Sequence, residues 1–120
     1  MNSRAANSVV HLELHTGDLS SAVAFYGQLL GWRPERIHAG NGSYLALGMG
    51  GRVGGGIVEC EAEQPLWVPH VAVPDVTRTT DRAERLGGAV LMAPREGPHG
   101  WRSVISSPEG EELAFWQPKS

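Results

Sequence analysis

The chain contains one cysteine, Cys60, so no internal disulfide can form and the fold must hold by packing; this fits a reducing, cytoplasmic setting. No apolar run approaches the roughly 18 residues needed to cross a membrane. The first residues, MNSRAANS, lack the apolar segment of a secretory signal. Basic residues are not in excess: ten Lys and Arg stand against thirteen Asp and Glu, a net charge of −3. With a pI near 5.9, a binder dominated by nucleic-acid phosphates is excluded. No G-x-S-x-G nucleophile elbow appears. The glycine run GMGGRVGGG, Gly48 to Gly56, is not followed by Lys-Ser/Thr and joins two strands instead of opening a helix, which excludes a phosphate or dinucleotide loop.

What is present fits one folded domain. The chain has 120 residues, 41% hydrophobic and 19% charged. Its most informative stretch runs from Val9 to Trp32. Val10, Leu12 and Leu14 alternate with His11, Glu13 and His15, which predicts a strand with one apolar face and one ionisable face. A strand buried on both faces would not tolerate three such groups unpaired. Asp18 then reads as an N-cap, and Leu19, Val23, Tyr26, Leu29 and Leu30 as one helical stripe ending at Gly31.

Further along, strands are predicted over residues 32–37, 43–47 and 57–61. Asn41-Gly42 favours a hairpin between the first two. The last strand would place Ile57, Glu59 and Glu61 on one face and Val58 and Cys60 on the other. The order then repeats. A strand over 68–73 leads to an Asp75 cap and a helix over 76–86 with Val76, Thr79, Ala83 and Leu86 inward, stopped by Gly87-Gly88. Strands follow over 89–93, 101–106 and 112–116. Asp18 and Asp75 are 57 residues apart, as are Leu29 and Leu86, Gly31 and Gly88, and Tyr44 and Trp101.

The expected fold is therefore α+β. Two βαβββ modules, about 9–62 and 67–117 of a single 1–120 domain with the break near Glu63 to Leu66, form a curved, half-open eight-stranded sheet around a cavity. Cavity-facing positions are then His11, Glu13, His15, Glu59, Glu61, His70, Ala72, Glu112 and Ala114. His11 and His70 are expected to be equivalent in the two halves. With a carboxylate from a separate strand they make a candidate divalent-metal set, suited to iron, zinc, nickel, manganese or cobalt. Glu112, Glu13 and His15 are the candidate acid–base groups. The competing reading has satisfied histidines and glutamates lining a solvated groove. Tyr44, Trp101 and Trp116 fall by parity nearer the cavity, where a planar ligand could stack, whereas Trp32 reads as sheet packing. Cys60 reads as core. His99 and Arg95 read as exposed loop residues.

The stretches HLELHTGDLSSAVAFYGQLLGW, GGGIVEC, HVAVPDVTRTTDRAERLGG and SPEGEELAFWQ together resemble the vicinal oxygen chelate superfamily, which comprises glyoxalase, bleomycin-resistance and dioxygenase branches. The resemblance runs from Val9 to Gln117. It implies His11, Glu59 and His70 as metal ligands and a fourth ligand in the last strand, where this chain has Ala114. Glu112 lies one strand repeat away, roughly 6.6 Å. Three ligands with open positions could take oxygen donors from a chelating substrate. The resemblance thus implies a divalent-metal-dependent lyase, isomerase or dioxygenase acting on a small oxygenated molecule. Its alternative is a metal-free antibiotic-binding protein of the bleomycin-resistance type, using Tyr44, Trp101 and Trp116. A homodimer is also expected, from uncovered sheet edges and from the habit of superfamily members of this length.

Overall fold

A computed structural model describes residues 7–36, 44–49, 53–61, 64–97 and 99–119. Among them are β1 (Val9–Thr16), α1 (Leu19–Leu30), β2 (Arg33–Arg36), β3 (Tyr44–Gly48) and β4 (Gly54–Glu59), then β5 (Leu66–Ala72), α2 (Val76–Arg85), β6 (Ala89–Glu96), β7 (Gly100–Ser106) and β8 (Glu112–Pro118). This is the expected α+β fold of two βαβββ modules with eight strands. Ile37, the Asn41-Gly42 turn, Ser43, Gly50 to Arg52, Ala62, Glu63 and Pro98 lie outside the described residues. No helix among the described residues is long and apolar enough to cross a membrane.

The strand order is β2-β3-β4-β1 in the first module and β5-β8-β7-β6 in the second. In each, the first and last strands pair parallel and the other pairs are antiparallel. Packing divides the chain into two compact units: His11–Val68, and Pro69–Ser120 with the stretch up to Val10. The division falls inside β5.

In the first unit, α1 starts where Asp18 accepts from the Ser21 backbone N–H at 3.1 Å and from its hydroxyl at 3.0 Å. The Asp18 N–H in turn donates to the buried Thr16 hydroxyl at 3.1 Å. The helix stops at Gly31, whose φ of 73° lets its N–H reach the Gly27 carbonyl at 2.9 Å. Leu14, Leu47 and Ile57 form the core, with Leu19, Ala22, Val23, Tyr26, Trp32 and Trp67 packed against it. Trp32 stacks on Tyr26 at 5.7 Å, and Trp67 meets Tyr26 edge-on at 5.4 Å.

The expected apolar stripe of α1 is only partly inward. No residue of the helix is fully buried, and Leu29 and Leu30 are exposed. At 100° per residue, Val23 and Leu29 are about 120° apart, a wider arc than one sheet face covers.

In the second unit, Val71, Val73, Val76, Ile105 and Phe115 make the core. α2 is capped by Asp75, which accepts from Arg78 N–H. Thr80, not Thr79, is its buried hydroxyl, donating to the Val76 carbonyl at 2.6 Å and lying 2.7 Å from the Ser103 hydroxyl. Leu86 is the C-cap and is 68% exposed, so it is not part of the inward face. Gly88 fits because a Cβ there would come within 2.7 Å of the Ser106 carbonyl oxygen.

Two outcomes follow from this packing. Ile57 is fully buried, so Ile57→Ala should lower unfolding free energy by about 2–5 kcal/mol in denaturant titrations. The hydrogen bonds from Ser21 hold the Asp18 carboxyl below its ordinary value of 3.8. A lowered folded-state value stabilises the fold above that pH and loses the contribution as pH falls through it. The stability gap between wild type and Asp18→Asn should therefore be largest near neutral pH and close in acid, as measured by thermal melts from neutral pH down through the carboxylate range.

Candidate functional site

β1 builds the site in the first unit. Alternate residues on a strand stand about 6.6 Å apart on one face, so His11, Glu13 and His15 form a row. Glu13 is only 3% exposed. A carboxylate taken that far from water costs several kcal/mol unless charged or hydrogen-bonded partners meet it. Its two oxygens divide between two rings. Glu13 Oε1 is 2.9 Å from His15 Nε2, and Oε2 is 3.4 Å from His11 Nε2. Both histidines keep about a fifth of their side-chain surface accessible, 22% for His11 and 20% for His15. An ionised carboxylate can only accept. With Glu13 ionised and His15 neutral, the proton facing the carboxylate sits on Nε2 and the lone pair on Nδ1.

The parallel register of β1 and β4 decides what stands beside this row. His11 is opposite Gly54, Glu13 opposite Gly56 and His15 opposite Val58. The glycines expected in a turn are thus part of β4, and they leave the row beside His11 and Glu13 without side chains. Thr16 is opposite Glu59 and Leu14 opposite Ile57. Glu59 therefore shares the helix-side face with the core residue Ile57, contrary to the expectation that it faces His11. Its Oε2 accepts from the Leu19 backbone N–H at 3.2 Å, at the first turn of α1. The expected alternation within β4 holds, but its two faces are the reverse of those expected. Cys60 is exposed and not core.

His70 lies in the second unit, 4% exposed, and is opposite Ala114 in the parallel pair of β5 and β8. Each of Glu13 and His70 lies five residues before its helix cap and immediately before a core residue, Leu14 or Val71. Their strand partners, Gly56 and Ala114, are both small. His70 is thus the counterpart of Glu13, not of His11, and the expected equivalence of the two histidines is off by one strand repeat. Glu112 is half-buried, opposite Ser106, on the same face of β8 as Ala114. Trp116 follows on that face, between Ala72 and Arg102. Trp101 does not join it: it packs against the α2-side core, with the Lys119 ammonium 5.6 Å from its ring. Tyr44 occupies the register position opposite Val58; its side chain lies outside the described residues. The aromatic trio expected from parity is therefore divided by the placement of Trp101.

The donors proposed for a metal do not fit one. Glu59 is turned to the opposite face of its strand from the one His11 uses, and no group of three or more His, Cys, Asp or Glu among the described residues is arranged to hold an ion. Gly54 and Gly56, as neighbours of the histidine row, are the site residues that reasoning from sequence misses. Their signal is the three glycines running directly into Ile57-Val58.

Comparison with known proteins agrees with this fold. The family model of the glyoxalase-like domain matches residues 8–116. Curated relatives in Mycobacterium bovis and Mycobacterium tuberculosis, both called "Putative glyoxylase CFP32", are 31% identical over 114 residues, covering 88% of this chain and 44% of theirs. The chain thus spans less than half the length of these relatives. Among solved structures, a hypothetical protein from Bacillus halodurans superposes with a TM-score of 0.71 at 12% identity, over 97% of both chains. Methylmalonyl-CoA epimerase from Mycobacterium tuberculosis gives 0.64 at 16% identity, over 100% of this chain and 94% of its own. The Streptomyces coelicolor epimerase in complex with 2-nitronate-propionyl-CoA gives 0.67 at 16%, over 97% of both.

The position of Glu59 has a measurable consequence. Glu59→Ala should cost about 0.5–1 kcal/mol of stability through the lost contact at the helix start. It should leave the divalent-metal content of the purified protein unchanged, as read by elemental analysis.

Proposed function

The chain belongs to the glyoxalase-like domain family of the vicinal oxygen chelate superfamily, and we propose that it is an enzyme that moves a proton on a small oxygenated substrate, as an isomerase or lyase does. His15 is the base in this reading, and Glu13 positions it. The observation that carries it is the buried Glu13 carboxylate held between His15 and His11.

A buried carboxylate against Nε2 orients the imidazole and stabilises the imidazolium formed when Nδ1 takes a proton. A C–H bond beside a carbonyl breaks, the proton passes to Nδ1, and the electron pair moves onto the carbonyl oxygen as an enolate. Return of the proton to carbon restores the imidazole, and nothing is oxidised or reduced. Return to the opposite face gives an epimer; where the deprotonated carbon carries a hydroxyl, transfer of that hydroxyl's proton to the enolate oxygen with return of the first proton to the neighbouring carbon gives an isomer. His11 occupies the second carboxylate oxygen and restrains Glu13 from turning away from His15. Gly54 and Gly56 leave space beside the row for a substrate. The divalent ion expected at His11, Glu59 and His70 is not part of this reading, because Glu59 faces away. Dioxygenase chemistry would need an iron, and Glu59, one of the donors expected to hold it, lies on the opposite sheet face from His11.

The test is exchange of substrate carbon-bound protons with deuterated water, followed by NMR, on a panel of 2-oxo acids and acyl-CoA thioesters. The thioesters are included because epimerases with this fold act on one. Wild type should catalyse exchange and His15→Asn should abolish it. Glu13→Gln should lower kcat by about 10²-fold with a smaller change in KM and a displaced pH–rate profile. Exchange that persists in His15→Asn would remove His15 as base. Tight binding of an antibiotic without any exchange would favour the sequestering, bleomycin-resistance type of function.

A further inference from the structure

We propose that the sheet face turned away from α2 carries a binding site for a planar anion. Its ligand is a flat conjugated ring bearing a carboxylate or phosphate, held by Arg95, Arg102 and Trp116. The site lies within the second unit and does not depend on the proposed proton transfer at His15.

Arg95 is not the loop residue that its sequence context suggests; it belongs to β6. Met92 is opposite Val104. Plain alternation from there would put Pro94 opposite Arg102, and Arg95 opposite Trp101 on the α2 side. A register shift between Met92 and Arg95 changes this, and Arg95 stands opposite Arg102 instead. Such bulges re-aim side chains and are over-represented beside active sites.

The result is a row across neighbouring strands: Arg95, Arg102, Trp116 and Ala72, each opposite the next. Residues so placed have Cβ atoms roughly 5 Å apart, and like charges directly opposite destabilise the pair. Glu96 does not stand between the arginines. It is opposite Trp101 on the other face, where its Oε2 meets the Lys119 ammonium at 2.8 Å. Glu112 shares the face but is two strand repeats from Trp116, roughly 13 Å. An oxyanion between the two guanidinium groups turns repulsion into attraction, and their planar forks match carboxylate and phosphate geometry. Arg102 also has a contact inside the fold. A guanidinium carries enough N–H donors to serve that contact and a ligand together.

Trp116 supplies the flat surface. Its ring leans over Gly100, where a Cβ would come within 2.9 Å of the indole Cη2. Glycine at that position lets the indole lie against the sheet, half-buried, with part of it accessible. In the next row Met92, Val104 and Ala114 are apolar. An anion without a ring would leave this surface uncovered, and a neutral ring would leave the arginines unmatched. A ligand with both features spans the roughly 10 Å from Trp116 to Arg95.

Calorimetric titration at roughly 0.01 M ionic strength, where charge is little screened, tests this. The probes are 2-naphthoate and 2-naphthyl phosphate; the controls are neutral 2-naphthamide and non-planar cyclohexanecarboxylate. At least one anionic probe should bind, and the tighter of the two tells carboxylate from phosphate. Each control should bind about tenfold more weakly or worse. Arg95→Gln and Arg102→Gln should each weaken the probe about tenfold or more and flatten its salt dependence. Arg85→Gln, exposed on α2, should bind as wild type. Trp116→Leu should lose the preference for 2-naphthoate over cyclohexanecarboxylate. Without ligand, Arg95→Gln should melt no lower than wild type, since it removes a like-charge neighbour. Failure of both anionic probes to bind would overturn the proposal, as would equal affinity for 2-naphthamide. Binding that both arginine variants leave intact would overturn it too, because the anion must then sit elsewhere.

Discussion

The parallel register of β1 against β4 is the constraint on which the first unit depends. It places Leu14 beside Ile57, and so closes the core under α1. The same register places Glu13 beside Gly56 and His11 beside Gly54, which opens the other face. A slip of one residue would exchange these faces, burying a row of ionisable groups and exposing the core. The cost of that exchange is what fixes the register, and Glu59 follows from it. Once Ile57 is in the core, a residue two further along the strand must face the helix. There it finds a backbone N–H at the start of α1 that would otherwise lack a partner within the helix.

The second unit repeats the solution with different chemistry. Val71 and Phe115 take the place of Leu14 and Ile57 in its core, and His70 beside Ala114 takes the place of Glu13 beside Gly56. Each module thus keeps one deeply buried ionisable group next to a small strand partner. Only the first flanks that group with two imidazoles. This asymmetry is why the proposed chemistry is assigned to β1. The outer surfaces diverge as well: α2 is charged on its exposed side and α1 is neutral.

The sequence by itself determined the order of elements. Asp18 and Asp75 mark the helix starts, Gly31 marks the end of α1, and the period changes between strand and helix are written in local residue choice. Local hydrogen-bonding and torsional preferences suffice for these features. The ionisable face of β1 was legible for the same reason: a period of two needs only one strand to be read.

Which face of β4 meets that of β1 is a pairing between segments about forty residues apart, and alternation gives two answers that look alike. Only the tertiary structure decided it, through the burial of Ile57 and the extension of β4 backward into Gly54 to Gly56. The match of His70 with Glu13 was likewise hidden, because a shift of two residues along a strand preserves the face and parity cannot detect it. The exposure of Leu29 and Leu86 was hidden too. Helical periodicity tells which residues share a side, but the width of the surface beneath them is set by packing with strands distant in sequence.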